Sequence, residues 1–115
     1  MKTVFILLTA CACYGYSDSW INAMADSIYL TEGGSHTKWE YGIKTHYAHT
    51  TPRQACLNTI KHQLRLWEAK GRYKQFISFL SDSYCPYQCD PVGHERWIKN
   101  MRYFMSQKHQ PENPE

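Results

Sequence analysis

The stretch DSWINAMADSIYLTEGG, residues 18–34, decides how the rest of the chain is read. Trp20, Met24 and Ile28, flanked by Ile21 and Tyr29, recur at the three-to-four spacing of a helix with one buried face. Asp18 or Ser19 stands where an N-cap is wanted, because a short polar side chain accepts a hydrogen bond from an otherwise unpaired first-turn N–H. Gly33-Gly34 ends the helix at about Thr31, since glycine takes the left-handed backbone of a C-terminal cap without steric cost. The helix therefore delivers a carboxylate, Glu32, at its end. A negative charge there meets the negative end of the helix dipole, and aromatic neighbours (Trp20, Tyr29 or Tyr41) would disfavour ionisation further. Such an environment suits a general acid; a solvated last-turn Glu is the plain alternative.

Working outward, Thr51-Pro52-Arg53-Gln54 reads as a second helix start: Thr51 as N-cap, Pro52 at the first helical position, Gln54 closing a capping box. Cys56, Ile60, Leu64 and Trp67 form its apolar stripe, and Gly71 ends it. A third helix is expected from about Tyr73 to Leu80, carrying Phe76, Ile77, Phe79 and Leu80. A fourth is expected from about His94 to Met105, burying Trp97, Ile98, Met101, Phe104 and Met105. Residues 35–50 read as a loop or short irregular hairpin, and Ser83 to Gly93 as a compact loop. The expectation is a mainly α fold: four short helices around one core, spanning residues 18–107, followed by a flexible tail at 108–115.

At 115 residues the chain has room for one domain. Thirteen Lys+Arg against ten Asp+Glu give +3, with no basic block, which argues against a dedicated nucleic-acid binder. No glycine-rich dinucleotide or phosphate-loop motif is present. Met1-Lys2-Thr3 followed by an apolar run from Val4 to Cys13 has the form of a secretory signal peptide, too short to span a bilayer. Cleavage after Ala12 or after Ser17 fits the small-residue rule, and Leu8-Thr9-Ala10-Cys11 also fits a lipobox in which Cys11 is lipidated. The protein is thus expected outside the cytoplasm, secreted or in the cell envelope, as a monomer. In that compartment two of Cys56, Cys85 and Cys89 are expected to pair, with connectivity open.

Several constellations compete for chemistry. His46-Tyr47-Ala48-His49 with Cys85 and Cys89 offers a Cys₂His₂ zinc set, against which stand the reversed order and the long gap; no metal or cofactor is expected. Cys56 near a helix N-terminus is a formal nucleophile, but its stripe position reads as core. Glu40, Asp82 and Asp90 are the possible second carboxylates for a two-acid glycosidase, although Asp90 before Pro91 also reads as a turn or helix cap. Trp39, Tyr41, Tyr47, Tyr84 and Tyr87 lie in the polar loops rather than on helical stripes, where they fit a glycan cleft or a protein-binding surface.

A helix ending in Glu32-Gly33-Gly34, followed by Tyr41-Gly42-Ile43, resembles the lysozyme-like superfamily of lytic transglycosylases, goose-type lysozymes and bacterial glucosaminidases. The later stretch Phe79-Leu80, Tyr84-Cys85-Pro86, Asp90-Pro91 and Arg96-Trp97 to Asn100-Met101 is similar to the C-terminal part of small glucosaminidase-like proteins. The resemblance covers roughly residues 20–104. It implies a small lysozyme-like helical domain with a short irregular β or loop segment after the first helix. It implies Glu32 as the catalytic acid, and Tyr41, Ile43, Tyr84 and Asp90 as substrate-binding positions on peptidoglycan or a related N-acetylated glycan. Glu-Gly-Gly replaces the usual Glu-Ser-Gly, and Lys44-Thr45 stand where a Gln is common. The alternative is an exported binding or effector module that keeps the fold without turnover.

Overall fold

The computed structural model describes residues 16–114, so the expected signal peptide, its Ala12 cleavage site and the lipobox Cys11 lie outside the described residues. Four helices follow in order: α1 (Asp18–Thr31), α2 (Pro52–Ala69), α3 (Phe76–Tyr84) and α4 (Pro91–Gln107). Among the described residues there is no strand; the segment between α1 and α2 is a loop with two short 3-10 turns, Gly34–His36 and Glu40–Gly42, and the hairpin alternative is not formed. No described helix is long and apolar enough to cross a membrane.

The N-cap of α1 is Ser17, one residue before the expected position. Its hydroxyl accepts the Trp20 N–H at 3.1 Å, which leaves Asp18 in the first turn, where its charge meets the positive end of the dipole. α1 buries Trp20, Ile21, Ala23, Met24, Ala25, Ser27 and Ile28, more than one stripe, because it packs against both α2 and α4. α2 begins as expected, with Thr51 Oγ1 accepting the Gln54 N–H at 3.1 Å. The capping box is not closed, however: the Gln54 side-chain amide donates to Asn58 Oδ1 at 2.9 Å instead of returning to Thr51. Cys56, Ile60, Leu64 and Trp67 face the core as their spacing requires.

α3 runs three residues later at its start and four later at its end than the sequence pattern suggests. The Lys74 carbonyl is taken by the Trp67 indole N–H at 2.8 Å, and the first-turn N–H of Phe76 is capped by Asn113 Oδ1 at 2.9 Å. The helix starts where that remote acceptor meets it. Its C-terminal turn persists to Tyr84, whose ring stacks on Trp97 with centroids 5.2 Å apart and planes 15° from parallel. α4 begins at Pro91, three residues earlier than expected, with Asp90 Oδ1 accepting the Gly93 N–H at 2.9 Å.

Residues 111–114, within the segment expected as a tail, lie against the helices. Pro111 O accepts the Trp20 indole N–H at 2.9 Å, Glu112 pairs with Arg102 at 2.8 Å, Asn113 caps α3, and Pro114 is buried. A buried indole N–H must find an acceptor, and the tail carbonyl supplies it. The core runs continuously from Trp20 to Met105. The expected cross-link is not formed among the described residues: Cys56, Cys85 and Cys89 carry free thiols.

Candidate functional site

Glu32 is the C-cap residue of α1, its own N–H still bonded to Ile28 O at 2.9 Å, so the helix aims the side chain rather than a free loop. Gly33 turns the chain away with φ of 117°. The chain then returns at Gly42, whose φ of 72° is a conformation side-chain-bearing residues rarely adopt. A Cβ at Gly42 would stand 2.8 Å from Glu32 Oε1, so the backbone there lies directly against the carboxylate. The other oxygen, Oε2, accepts the Trp97 indole N–H at 2.8 Å. Two sequence-distant elements thereby meet at one carboxylate, α4 through a hydrogen bond and the 40–43 turn through close packing.

The aromatic walls are held as firmly. Tyr41 is buried with φ of 60°, an uncommon left-handed conformation for a residue with a side chain. Its hydroxyl accepts from Arg53 at 3.0 Å, and Arg53 also bonds Asp26 and Asn22, each at 2.8 Å. Its ring lies 5.2 Å from that of Tyr29. Arg53 thus ties α2 to α1 and pins the strained turn between them. On the opposite wall Tyr84 stacks on Trp97, and its hydroxyl lies 3.8 Å from Cys56 Sγ. Burial pushes the Cys56 thiol up to about 11, with the Tyr84 contact acting in the opposite sense, and burial also raises Tyr84 far above the usual phenol range. Cys56 is therefore a protonated core thiol at neutral pH, not an activated nucleophile.

Between these walls lies a cavity of about 230 Å³, and Glu32 is the only acid among the residues lining it. Of the positions singled out in the sequence, Glu32, Tyr41, Ile43 and Tyr84 come together here, joined by Tyr47, Thr59 and Ser83. Asp90 does not line it; its carboxylate caps α4. Of the other possible second carboxylates, Asp82 stands 3.9 Å from Lys74 on the surface, and Glu40 lines a separate, neighbouring cavity with Trp39 and His46. His36, His46 and His49 are exposed, and among the described residues no group of three or more His, Cys, Asp or Glu side chains is placed to hold a metal ion.

Trp97 and Arg53 are the residues that sequence reasoning passed over. Trp97 falls on an apolar stripe and reads as core, which it also is; the signal for a second role is its indole N–H, which needs an acceptor once buried. Comparison with family models, with curated proteins and with solved structures finds no match to this chain.

Proposed function

We propose that this chain is a lysozyme-like, glycan-cleaving domain that acts on the peptidoglycan backbone outside the cytoplasm, with Glu32 as its single general acid and base. The observation that carries the reading is a lone carboxylic acid, held at Oε2 by the Trp97 indole and packed against Gly42, in the lining of a cavity walled by aromatic side chains. Because the Trp97 N–H occupies Oε2, a proton on Glu32 is carried by Oε1. From there it passes to the glycosidic oxygen as the bond to the anomeric carbon breaks, and the leaving sugar departs as an alcohol. The carboxylate then takes a proton from the group that attacks the anomeric carbon. That group is the sugar's own hydroxyl in a lytic transglycosylase and water in a hydrolase.

The absence of a second acid from the lining favours the single-Glu route over a two-carboxylate mechanism. The modest cavity keeps a second reading in play, an exported glycan-binding module without turnover.

Glu32→Gln separates the two readings, since it is nearly isosteric and removes the transferable proton. Wall-clearing activity should fall by about 10²–10⁴-fold, the usual contribution of general acid–base catalysis, while folding and glycan binding persist. Mass spectrometry of the digest identifies the product as anhydro or reducing. Wild-type clearing by Glu32→Gln would end the assignment, and an inactive parent that still binds peptidoglycan would favour the binding module.

A further inference from the structure

Next to the Glu32 cavity lies a second one of about 480 Å³, and Ile43 belongs to the walls of both. Small-molecule sites commonly measure about 300–1,000 Å³, so the smaller cavity accepts part of a ligand and its neighbour has room for the continuation. Thr37, Lys38, Trp39, Glu40, Thr45 and His46 line the second cavity.

Trp39 differs from the three other tryptophans. Trp20, Trp67 and Trp97 are buried in the core, whereas Trp39 is half-buried in the loop between α1 and α2. Thr37 Oγ1 accepts its backbone N–H at 3.1 Å, which fixes the base of the residue, and Lys38 Nζ stands 5.1 Å from the ring centroid. The π face that attracts an ammonium attracts the polarised C–H bonds of a pyranose for the same electrostatic reason. Around the ring, two threonine hydroxyls, the Glu40 carboxylate and the His46 imidazole supply the mix of donors and acceptors that sugar hydroxyls require.

We propose that the Trp39 cavity is a second saccharide subsite, in which the indole is the platform for a sugar ring of an N-acetylhexosamine chain whose scissile end lies at Glu32. The proposal rests on the glycan reading of Glu32. A chain longer than a disaccharide engages both cavities, and a disaccharide fills the Glu32 cavity alone.

The test uses Glu32→Gln protein, which cannot turn over its ligand, titrated with di- and hexasaccharides of N-acetylglucosamine while acrylamide quenches tryptophan emission. The quenchable emission belongs to Trp39, because the other three indoles are buried. The hexasaccharide should protect it and the disaccharide should not. Adding Trp39→Ala should weaken hexasaccharide binding about tenfold, the loss typical of a well-packed aromatic anchor, and leave disaccharide binding unchanged. Trp39→Phe, which keeps a π face, should recover most of that loss, and unchanged circular dichroism shows that neither variant has unfolded. In protein with Glu32 intact, Trp39→Ala should raise KM on long chains without changing kcat. Equal hexasaccharide affinity with and without Trp39, or no protection from quenching, overturns the subsite even if Glu32→Gln abolishes turnover. If Glu32→Gln turns over normally while Trp39 remains protected, the acid assignment falls and the subsite stands as part of a binding surface.

Discussion

Trp97 is the residue on which the position of Glu32 depends most directly, and it carries two tasks that can be separated. Trp97→Phe keeps an aromatic ring against Tyr84 but removes the N–H that Glu32 Oε2 accepts. A hydrogen bond to a charged group contributes about 1.5–3 kcal/mol, so under the proposed glycan-cleaving function kcat should fall about 10–100-fold with KM nearly unchanged. A fall in KM affinity with kcat intact would instead make Trp97 a wall and not an anchor. Cys56 gives a second expectation at this scale. Its thiol is raised in the folded chain from the ordinary 9.0 to about 11, so stability is fully present below pH 9 and is lost as pH rises through 11. The loss is on the order of 2–3 kcal/mol, and Tyr84, raised for the same reason, adds in the same direction. Urea midpoints between pH 8 and 11 should fall more steeply for the native chain than for Cys56→Ala; parallel curves would remove the thiol from the account.

At the scale of elements, two helix starts that look alike in the structure differ in how far they could be read from the sequence. Ser17 caps α1 from three residues away, whereas Asn113 caps α3 across 37 residues of chain. Ser17→Ala and Asn113→Ala should each cost about 0.5–2 kcal/mol in urea denaturation, the usual worth of an N-cap. An Asn113→Ala protein as stable as its parent would mean that the tail does not hold α3. The comparison explains what was legible. α1, the start of α2 and the stripe Cys56, Ile60, Leu64, Trp67 follow from local spacing and local caps, and their observed bounds lie within a residue or two of that pattern. The limits of α3 and the docking of 108–114 depend on partners far along the chain, which no local window contains. The same holds for the site. Glu32 at a helix end with Tyr41, Ile43 and Tyr84 nearby could be singled out from residue types and order. That Trp97 donates to one of its oxygens while Gly42 packs beside the other, and that Arg53 pins Tyr41, is visible only when α1, α2 and α4 are assembled.

Across the whole molecule, α1 organises both ends of the design. Its C-terminal end presents Glu32, and its N-terminal end receives the tail, with Gln110 donating to Ser19 at 3.3 Å and Trp20 donating to Pro111. A helix of 14 residues is about 21 Å long at 1.5 Å per residue, which sets the tail contacts well apart from the carboxylate. The first turn of α1 and residues 110–111 therefore meet at the end of α1 opposite Glu32.

That meeting has a topological consequence: the order in which the helices are strung together is not what holds them in place. Residues 114 and 16 should accept a short glycine-serine bridge, with new ends opened between Lys70 and Gly71 in the exposed turn that follows α2. Such a circular permutant places α3, α4 and the tail ahead of α1 and turns the Pro111–Trp20 contact from a long-range closure into a nearly local one. It should unfold cooperatively, keep the Glu32 cavity, and fold faster than the parent because its closing contacts span less chain. Stopped-flow refolding compares the two directly. A permutant that fails to fold, or folds more slowly, would show that the covalent path through the α2–α3 turn matters more than the strap.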